Sequence, residues 1–593
     1  MSVVLAWWIE DIRDMWGLYF LTLRDRYGVT QITTNDLSKD LLHHLHIEYC
    51  IKVVWTVVAR PRWQENLVMP TGAIELAASS IEILNQCKEL PFPIRDEPNT
   101  SEEWRMKHRF LDLRRWPVMK NLVFRAQMNH FTRNWFVDHW FLEIQTPLFT
   151  VSSPEWARDY IIPSRVNPGK FYALPQAPQQ YKQLLMVWWI DKYFQIAPCF
   201  RDEDPRADRH SCEFYQIDAE MSFVEQDDIF AVGESYIRDM VAALVPNKRI
   251  TVSFDRIPYH QAQALYGSDK PDLRFGMQFF DLSSVVASCG FSVFADAVAW
   301  WWVVKAVVLS DQTMSRKEID AMTEIAKQAG AWGLAYFIVQ EQDDALAPHG
   351  VRSPIAKFFE KNELEEIVGA TGATIGDMIF FGAWPVSLVN KVLNKVRLAC
   401  RDQYQLVDQN ALAFAWITDF PFYEYDEGQE QWDFGHNPFS AVVWWVEALR
   451  TQDFADVQTT QYDMVLNGYE ILSWSIRNHD PAVLVAAFEK VWLSERDVKE
   501  RFGAMYEAFQ YGAPPHGWFA FGFDRLMMIL LDEPNIRECY AFPKSWRAED
   551  VMMGAPSFID QHLLDELHVA VIDEDDNQQE DDLDGLHGED DNS

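Results

Sequence analysis

The 593-residue chain is 48% hydrophobic and 24% charged, a globular composition at a length that exceeds what one core can serve. Its formal net charge of −37 excludes attraction of an anionic partner by the overall field, so any nucleic-acid contact must come from local basic patches. Seven scattered cysteines (Cys50, Cys87, Cys199, Cys212, Cys289, Cys400, Cys539) never form a CxxC pair, which fits reduced thiols and neither a disulfide framework nor a zinc site.

The start, Met1-Ser2-Val3-Val4-Leu5, has no basic region and is not read as a signal peptide. Residues 1–90 carry short alternating runs, at 19–23 and 51–58, with polar turns between them. That pattern predicts a small β-barrel whose first strand looks truncated. Pro91-Phe92-Pro93-Ile94-Arg95 opens a hinge over 91–109. From Arg109 a helical pattern with apolar Met128, Phe131 and Trp135 runs towards Glu143-Ile144-Gln145-Thr146-Pro147, where proline ends it. Strand-like runs and charged loops fill the rest of 110–275, residues 276–404 are mixed α/β, and strands return in 405–572. Two similar blocks around a different one indicate an insertion. The most apolar stretch, 291–310, contains Asp296 and Lys305 and reads as buried strand or helix, not a membrane span. The tail, 573–593, has eleven Asp or Glu and no Lys or Arg, so disorder is expected there. Tryptophan is abundant, with 25 residues, many where a turn would favour a small side chain.

Two segments carry chemistry. In Phe200-Arg201-Asp202-Glu203-Asp204, arginine and glutamate two positions apart share one face of a strand. The guanidinium can clamp a phosphate while the carboxylate accepts a hydrogen bond; a surface ion-pair cluster would look the same in isolation. Far downstream, Ala520-Phe521-Gly522-Phe523-Asp524-Arg525-Leu526 passes from strand through glycine into an acidic–basic pair.

Together these segments resemble motifs 2 and 3 of class II aminoacyl-tRNA synthetases, and 125–147 resembles motif 1, the dimer-forming helix and strand. Further segments resemble the bacterial aspartyl-tRNA synthetases. They are Phe110-Leu111-Asp112-Leu113-Arg114-Arg115, Pro154-Glu155-Trp156-Ala157-Arg158-Asp159-Tyr160, and Gly169-Lys170-Phe171-Tyr172-Ala173-Leu174-Pro175-Gln176-Ala177-Pro178-Gln179. Tyr266-Gly267-Ser268-Asp269-Lys270-Pro271-Asp272, Asp463-Met464-Val465-Leu466-Asn467-Gly468-Tyr469-Glu470 and Asn535-Ile536-Arg537 extend the likeness, in order, to about Leu567.

The resemblance implies an α/β multidomain architecture. An N-terminal OB-fold barrel (1–90) reads the anticodon and a hinge follows (91–109). An antiparallel-sheet catalytic domain is split into 110–275 and 405–572, the latter with a C-terminal extension, around an inserted α+β domain (276–404). It also implies aspartate activation with ATP and Mg2+, transfer to tRNA(Asp) and possibly tRNA(Asn), a homodimer and a cytoplasmic, membrane-free setting. Arg201 would bind the ATP α-phosphate and the aspartate α-carboxylate. Glu203 would read the adenine amino group, and Phe214 and Arg525 would sandwich the ring. Asp202, His210, Gly522, Phe523 and Asp524 complete the implied ATP contacts. Asp463 and Glu470 would hold Mg2+, with Glu470 also serving ATP. Glu155 and Asp218 would hold the substrate ammonium, and Gln179, Lys182 and Arg477 its side chain, under a loop carrying His436. Arg13, Phe20, Arg24, Arg26 and Gln31 would meet the anticodon.

The chain departs from the family pattern chiefly at glycines. Trp7, Trp16, Trp140, Trp156, Trp474 and Trp518 stand where the family has glycine, and Leu472-Ser473-Trp474 replaces a glycine-rich floor beside Arg477. Leu472 and Trp474 are therefore expected to add bulk to the substrate pocket. An asparaginyl or lysyl relative, or an impaired tRNA-binding paralogue, stays open on the residues alone.

Overall fold

The computed structural model describes the chain except residues 1, 16, 17, 35, 36, 38, 68, 70, 97, 98, 153–156, 207–209, 342–349, 427, 429, 436 and 573–593. Glu155, His436, Trp16, Trp156 and the acidic tail thus lie outside the described residues. The chain divides into two compact units, Met1–Val123 with Val551–Met553, and Phe124–Asp550 with Gly554–Ser593.

In the first unit, five strands close a barrel in the order Ser2–Met15, Leu18–Asp25, Gly28–Thr33, Ile74–Asn85, Cys50–Ala59. Alternation explains its inside: Tyr19, Leu21 and Leu23 are buried with Ile9, Ile32, Ile51 and Val53, while Phe20 and Thr22 fall on the other face of the strand. The first strand is not truncated. It runs 14 residues, with a register shift between Ile9 and Asp11 that lets one strand bend through two pairings. Helix begins inside the expected hinge, and instead of one helix from Arg109 there are three: Glu102–Lys107, Arg109–Asp112 and Trp116–Asp138. The short second helix exists to place Asp112. That fully buried carboxylate accepts hydrogen bonds from Arg109, from Arg105 at 3.2 Å and from Arg115 at 2.9 Å. The FLDLRR segment is thus a buried ion cluster, a structural element rather than a ligand site.

The second unit is built on an eight-stranded sheet, in the order Arg249–Pro258, Ala411–Thr418, Gln461–Leu466, Tyr469–Ile476, His516–Gly522, Glu213–Ser222, Lys192–Phe200, Leu142–Glu143. Only the two edge pairings are parallel, as the intervening ladders are antiparallel. One face is apolar: Ile217, Ala219, Phe519, Phe521, Leu472 and Met464 pack there against Phe230, Tyr236 and Met240 of the Gln226–Leu244 helix. The long helix ends at Asp138 because Trp140 adopts φ 69°, and the Phe141 N–H then returns to the Phe136 carbonyl at 3.0 Å. Pro147 plays no part in that stop.

The inserted module is a five-stranded sheet of Phe279–Asp281, Val303–Leu309, Met378–Trp384, Ala335–Val339 and Val351–Arg352, in that order. Both of its faces are covered by apolar clusters. The apolar stretch 291–310 forms the Ser292–Ala299 helix and the Val303–Leu309 strand, and no described helix is long and apolar enough to cross a membrane. Arg397 anchors the module by donating to the carbonyls of Asp272 (2.7 Å), Gly276 (3.1 Å) and Met277 (3.1 Å).

Tryptophan does occupy glycine-like backbone. Trp140, Trp189, Trp301, Trp444, Trp445 and Trp492 all have positive φ, and Trp189 and Trp301 are almost wholly exposed. A Cβ in that region costs about 1–2 kcal/mol each, so these turns are held by the helices they close and not by their own preference.

Candidate functional site

The face of the eight-stranded sheet opposite the core is polar, and alternation puts it there. Phe214, Gln216, Asp218 and Glu220 alternate with core residues along Glu213–Ser222. Across the ladders, Gly522, Ala520, Trp518 and His516 stand opposite Gln216, Asp218, Glu220 and Ser222. Ser473 and Ser475 stand opposite Ala520 and Trp518, and Asp463 and Gln461 opposite these serines. Cross-strand partners share a face, so four strands from distant parts of the chain pool their polar side chains. A cavity of about 300 Å³ opens on this surface.

Beside Gln179 and Trp518 of its wall lies a buried charge cluster supplied by the Gln179–Val187 helix and the sheet. Lys182 Nζ donates to Asp218 Oδ2 at 2.6 Å and lies 3.7 Å from Glu220, with all three side chains fully buried. Arg477 donates to Gln179 Oε1, and Gln179 Nε2 donates to Gln183 Oε1 at 2.6 Å. Gln183 in turn meets His516 Nε2 at 3.1 Å. Burial sets the protonation tendencies: it pulls Lys182 down and pushes Asp218 up, and it raises Glu220 to about 7 against the opposing pull of Lys182 and Arg477. His516 is pushed down to about 3 by burial and stays neutral. Asp218 Oδ1 and both Glu220 oxygens are buried without a hydrogen-bond partner, acceptor capacity that a ligand ammonium could use.

Arg201 also lines the cavity, with its guanidinium carbon 5.1 Å from the Phe214 ring centroid, and its Nε is a buried donor without a partner. Arg525 lines the same wall and donates to the Glu470 carbonyl. His210 sits 3.7 Å from Glu203, with burial as the main influence lowering its proton affinity. A guanidinium, an aromatic face and a second guanidinium around one opening suit a planar ring joined to phosphates. Asp202 is held in a bridge to Arg158, its N–H donating to the Arg158 carbonyl at 2.9 Å.

Two sequence expectations change here. Phe523 is completely buried in the hydrophobic core, so its side chain cannot touch a ligand in the cavity. Asp524 borders the cavity but its carboxylate is taken: it accepts from Arg125, from the Tyr215 N–H at 2.8 Å and from the Tyr540 hydroxyl at 2.5 Å. Its role is to fix the start of the Phe523–Leu530 helix against the Trp116–Asp138 helix.

Asp463 and Glu470 come together across the turn at Gly468, with Lys270 3.2 Å from Glu470. Burial first, and the Glu470 charge second, push the Asp463 carboxyl well above its usual range. Among the described residues no group of three or more His, Cys, Asp or Glu forms a cation cage. Two carboxylates, one with an unpartnered buried oxygen, nevertheless fit Mg2+ that takes its other ligands from phosphate and water.

Of the glycine-rich floor, the Trp474 side chain lies outside what the structure describes. Leu472 packs into the apolar core beneath the sheet while still bordering the cavity, and Ser473 shares the cavity face with Asp463 and Ala520. Bulk also enters from the next strand: the Trp518 ring centroid lies 3.5 Å from Lys182 Nζ and 4.2 Å from the Arg477 guanidinium carbon. Glu220, Gln183 and His516 are further site residues that the motifs did not single out, and Lys270 lies in a quoted segment without having been given a role. The i, i+2 spacing of Asp218 and Glu220 and the i, i+3, i+4 spacing of Gln179, Lys182 and Gln183 were the available signals.

On the barrel, Phe20 is paired with Arg13 and Thr33, and Gln31 with Thr22, placing Arg13, Phe20 and Arg24 along one line on the outer surface. Arg24 is largely committed to Glu48, at 2.5 Å, which also accepts from Arg114 at 2.6 Å. Arg26 is exposed and lies over the Tyr27 ring, 4.6 Å from its centroid.

Residues 101–546 match the family model described as tRNA synthetases class II (D, K and N). The chain is 45% identical over 575 residues to an aspartate–tRNA(Asp/Asn) ligase of Prosthecochloris aestuarii, covering 96% of this chain and 93% of that one. It is 45% identical over 574 residues to the ligase of the same description from Sinorhizobium medicae, covering 96% of each. Among solved structures, the asparaginyl-tRNA synthetase of Entamoeba histolytica with asparaginyl-adenylate superposes with a TM-score of 0.57 at 16% identity, over 92% of this chain and 95% of that one. A putative aspartyl-tRNA synthetase of Leishmania major gives 0.54 at 18% identity, over 91% and 90%. At these identities the structures establish the shared fold.

Proposed function

The chain belongs to the class II tRNA synthetases of the D, K and N group, and from that membership we propose that it ligates L-aspartate to tRNA. Aspartate is first joined to ATP as an adenylate and then passed to the 3′ end of tRNA(Asp), and of tRNA(Asn) as in the relatives so described. The observation that carries the amino-acid choice is the pair of buried cations, Lys182 and Arg477, held against the ring of Trp518, which itself lines the cavity. An anionic side chain satisfies them, whereas an amide leaves charge desolvated and a lysine repels it.

In the mechanism this supports, the aspartate α-carboxylate attacks the α-phosphate and pyrophosphate leaves. Arg201 stabilises the charge that builds on the reacting oxygens, and Phe214 and Arg525 hold the adenine between them. Asp218 takes the substrate ammonium. Asp463 and Glu470 are the residues that would hold Mg2+, which when bound neutralises phosphate charge. Glu203 and His210 border the adenine end. No covalent enzyme intermediate is required. ATP–pyrophosphate exchange with aspartate, asparagine and lysine tests the reading. Aspartate should drive it best, and exchange led by either of the others would overturn it.

Glu220 gives the reaction a pH dependence. When protonated it leaves the cluster of Lys182, Arg477, Asp218 and neutral His516 with spare positive charge. When ionised it competes with the substrate for Lys182. The KM for aspartate should therefore rise as pH climbs through about 7, while the Glu220→Gln variant should lose that rise. Identical pH profiles for the two proteins would refute the assignment.

The outer barrel surface with Arg13, Phe20 and Gln31 is proposed as the anticodon contact, and Arg24 as its support through Glu48. We also propose a cytoplasmic homodimer joined through the 125–147 segment. Sedimentation should give twice the chain mass at micromolar concentration, and a monomer there would refute it.

A further inference from the structure

Trp518 is wedged among the groups just assigned to the substrate. Its ring lies over two cations at once, with Lys182 Nζ 3.5 Å and the Arg477 guanidinium carbon 4.2 Å from its centroid. The indole Nε1 donates to Ser475 Oγ at 3.2 Å, and the side chain is only 8% exposed, so its orientation is fixed and its contacts are dry. Of the three Lys182 donors, one goes to Asp218 at 2.6 Å. The ammonium otherwise faces Glu220 at 3.7 Å and the indole. A carboxylate bridging Lys182 and Arg477 has to stand where both cations can be reached, and that space is the space of the ring.

We infer that Trp518 occludes the side-chain subsite, its indole standing in for the substrate carboxylate between Lys182 and Arg477, and that it is the residue limiting amino-acid affinity in this chain. The inference rests on the reading of those two cations as side-chain ligands. Cation–π attraction in a desolvated setting makes the closed arrangement stable by itself. Substrate therefore has to displace an aromatic ring that is already hydrogen-bonded and held over two cations. Part of the binding energy goes into that displacement and is lost from the observed affinity. The register explains why no neighbouring residue relieves the block. Glu220 and Ser475 flank position 518 on either side, so the ring is confined between two strands and the helix that carries Lys182.

The test compares the full-length protein with its Trp518→Gly and Trp518→Ala variants. Exchange kinetics give KM for aspartate and for ATP, and calorimetry gives the affinity for aspartyl-sulfamoyl-adenosine, a stable adenylate mimic, and its asparaginyl counterpart. Opening the subsite should lower the KM for aspartate and tighten the mimic on the order of tenfold or more, while KM for ATP stays within about twofold. Alanine retains a Cβ in the strand and serves where glycine lowers the melting temperature. Equal or weaker binding by a folded variant overturns the inference. Which mimic binds better is a separate result: preference for the asparaginyl form in parent and variants would overturn the aspartate reading. The ratio of variant to parent would still decide the role of Trp518.

Discussion

Replacing Arg201 by alanine should lower aspartate-dependent pyrophosphate exchange by about 10²–10³-fold, the scale seen when one preorganised donor to a developing charge is removed. The structure prepares this residue for that task. Its N–H is tied to the Cys212 carbonyl at 2.9 Å, its guanidinium lies beside the Phe214 ring, and its Nε is a buried donor without a partner. An unsatisfied donor at a cavity wall costs stability in the free protein and is repaid when a ligand oxygen arrives. Alanine should therefore leave the melting temperature unchanged or slightly raised. Lysine at 201 keeps a point charge without the planar fork and should recover only part of the rate. Near-parental exchange in the alanine variant would remove Arg201 from the reaction, and with it the proposed direction of the ATP phosphates. A melting temperature that falls sharply would instead make it a structural residue.

Much of the architecture was legible because it depends on local pattern. The alternation of Tyr19, Leu21 and Leu23 is enough to predict a barrel strand, and the Asp296 and Lys305 interruptions are enough to dismiss a membrane span. The end of the Trp116–Asp138 helix is not legible in the sequence because proline is the more visible stop signal. The actual stop is a tryptophan in left-handed backbone, which sequence rules assign to glycine. In the site, the motifs point to residues such as Arg201, Phe214, Asp463 and Glu470, which line one cavity, while residues that meet only through juxtaposition carry no motif. Glu220 is one more strand acid until Lys182, 38 positions upstream by its numbering, folds within 3.7 Å of it. Leu472 and Trp518 lie on paired strands of one sheet but on opposite faces. Only the register reveals which of them meets the cations. A list of lost glycines cannot rank them; the pleat does.

The same cluster yields the largest expected effect on stability. Lys182→Met removes one of two cations from a site that retains Asp218 and Glu220, all fully buried. Deleting one partner of a buried pair costs about 3–5 kcal/mol, because the remaining charge is left unpaired in low dielectric. Glu220 can soften that cost by keeping its proton. Its folded-state pKa is already raised to about 7 from 4.5, and loss of the Lys182 attraction raises it further. A carboxyl whose folded pKa lies above its unfolded value favours the folded state below the unfolded pKa and loses that advantage as pH rises through the folded value. The defect in Lys182→Met should therefore deepen with pH, with the melting temperature falling further at about pH 8.5 than at about pH 6. Adding Glu220→Gln should flatten that dependence and restore part of the stability, since Asp218 then remains with Arg477 as the only buried opposite charges of the cluster. Guanidinium unfolding of the parent, the single and the double variant at both pH values measures each of these differences. If the single variant matches the parent at both, Lys182 is not compensating buried carboxylates, and the charge balance on which the aspartate subsite depends would have to be redrawn.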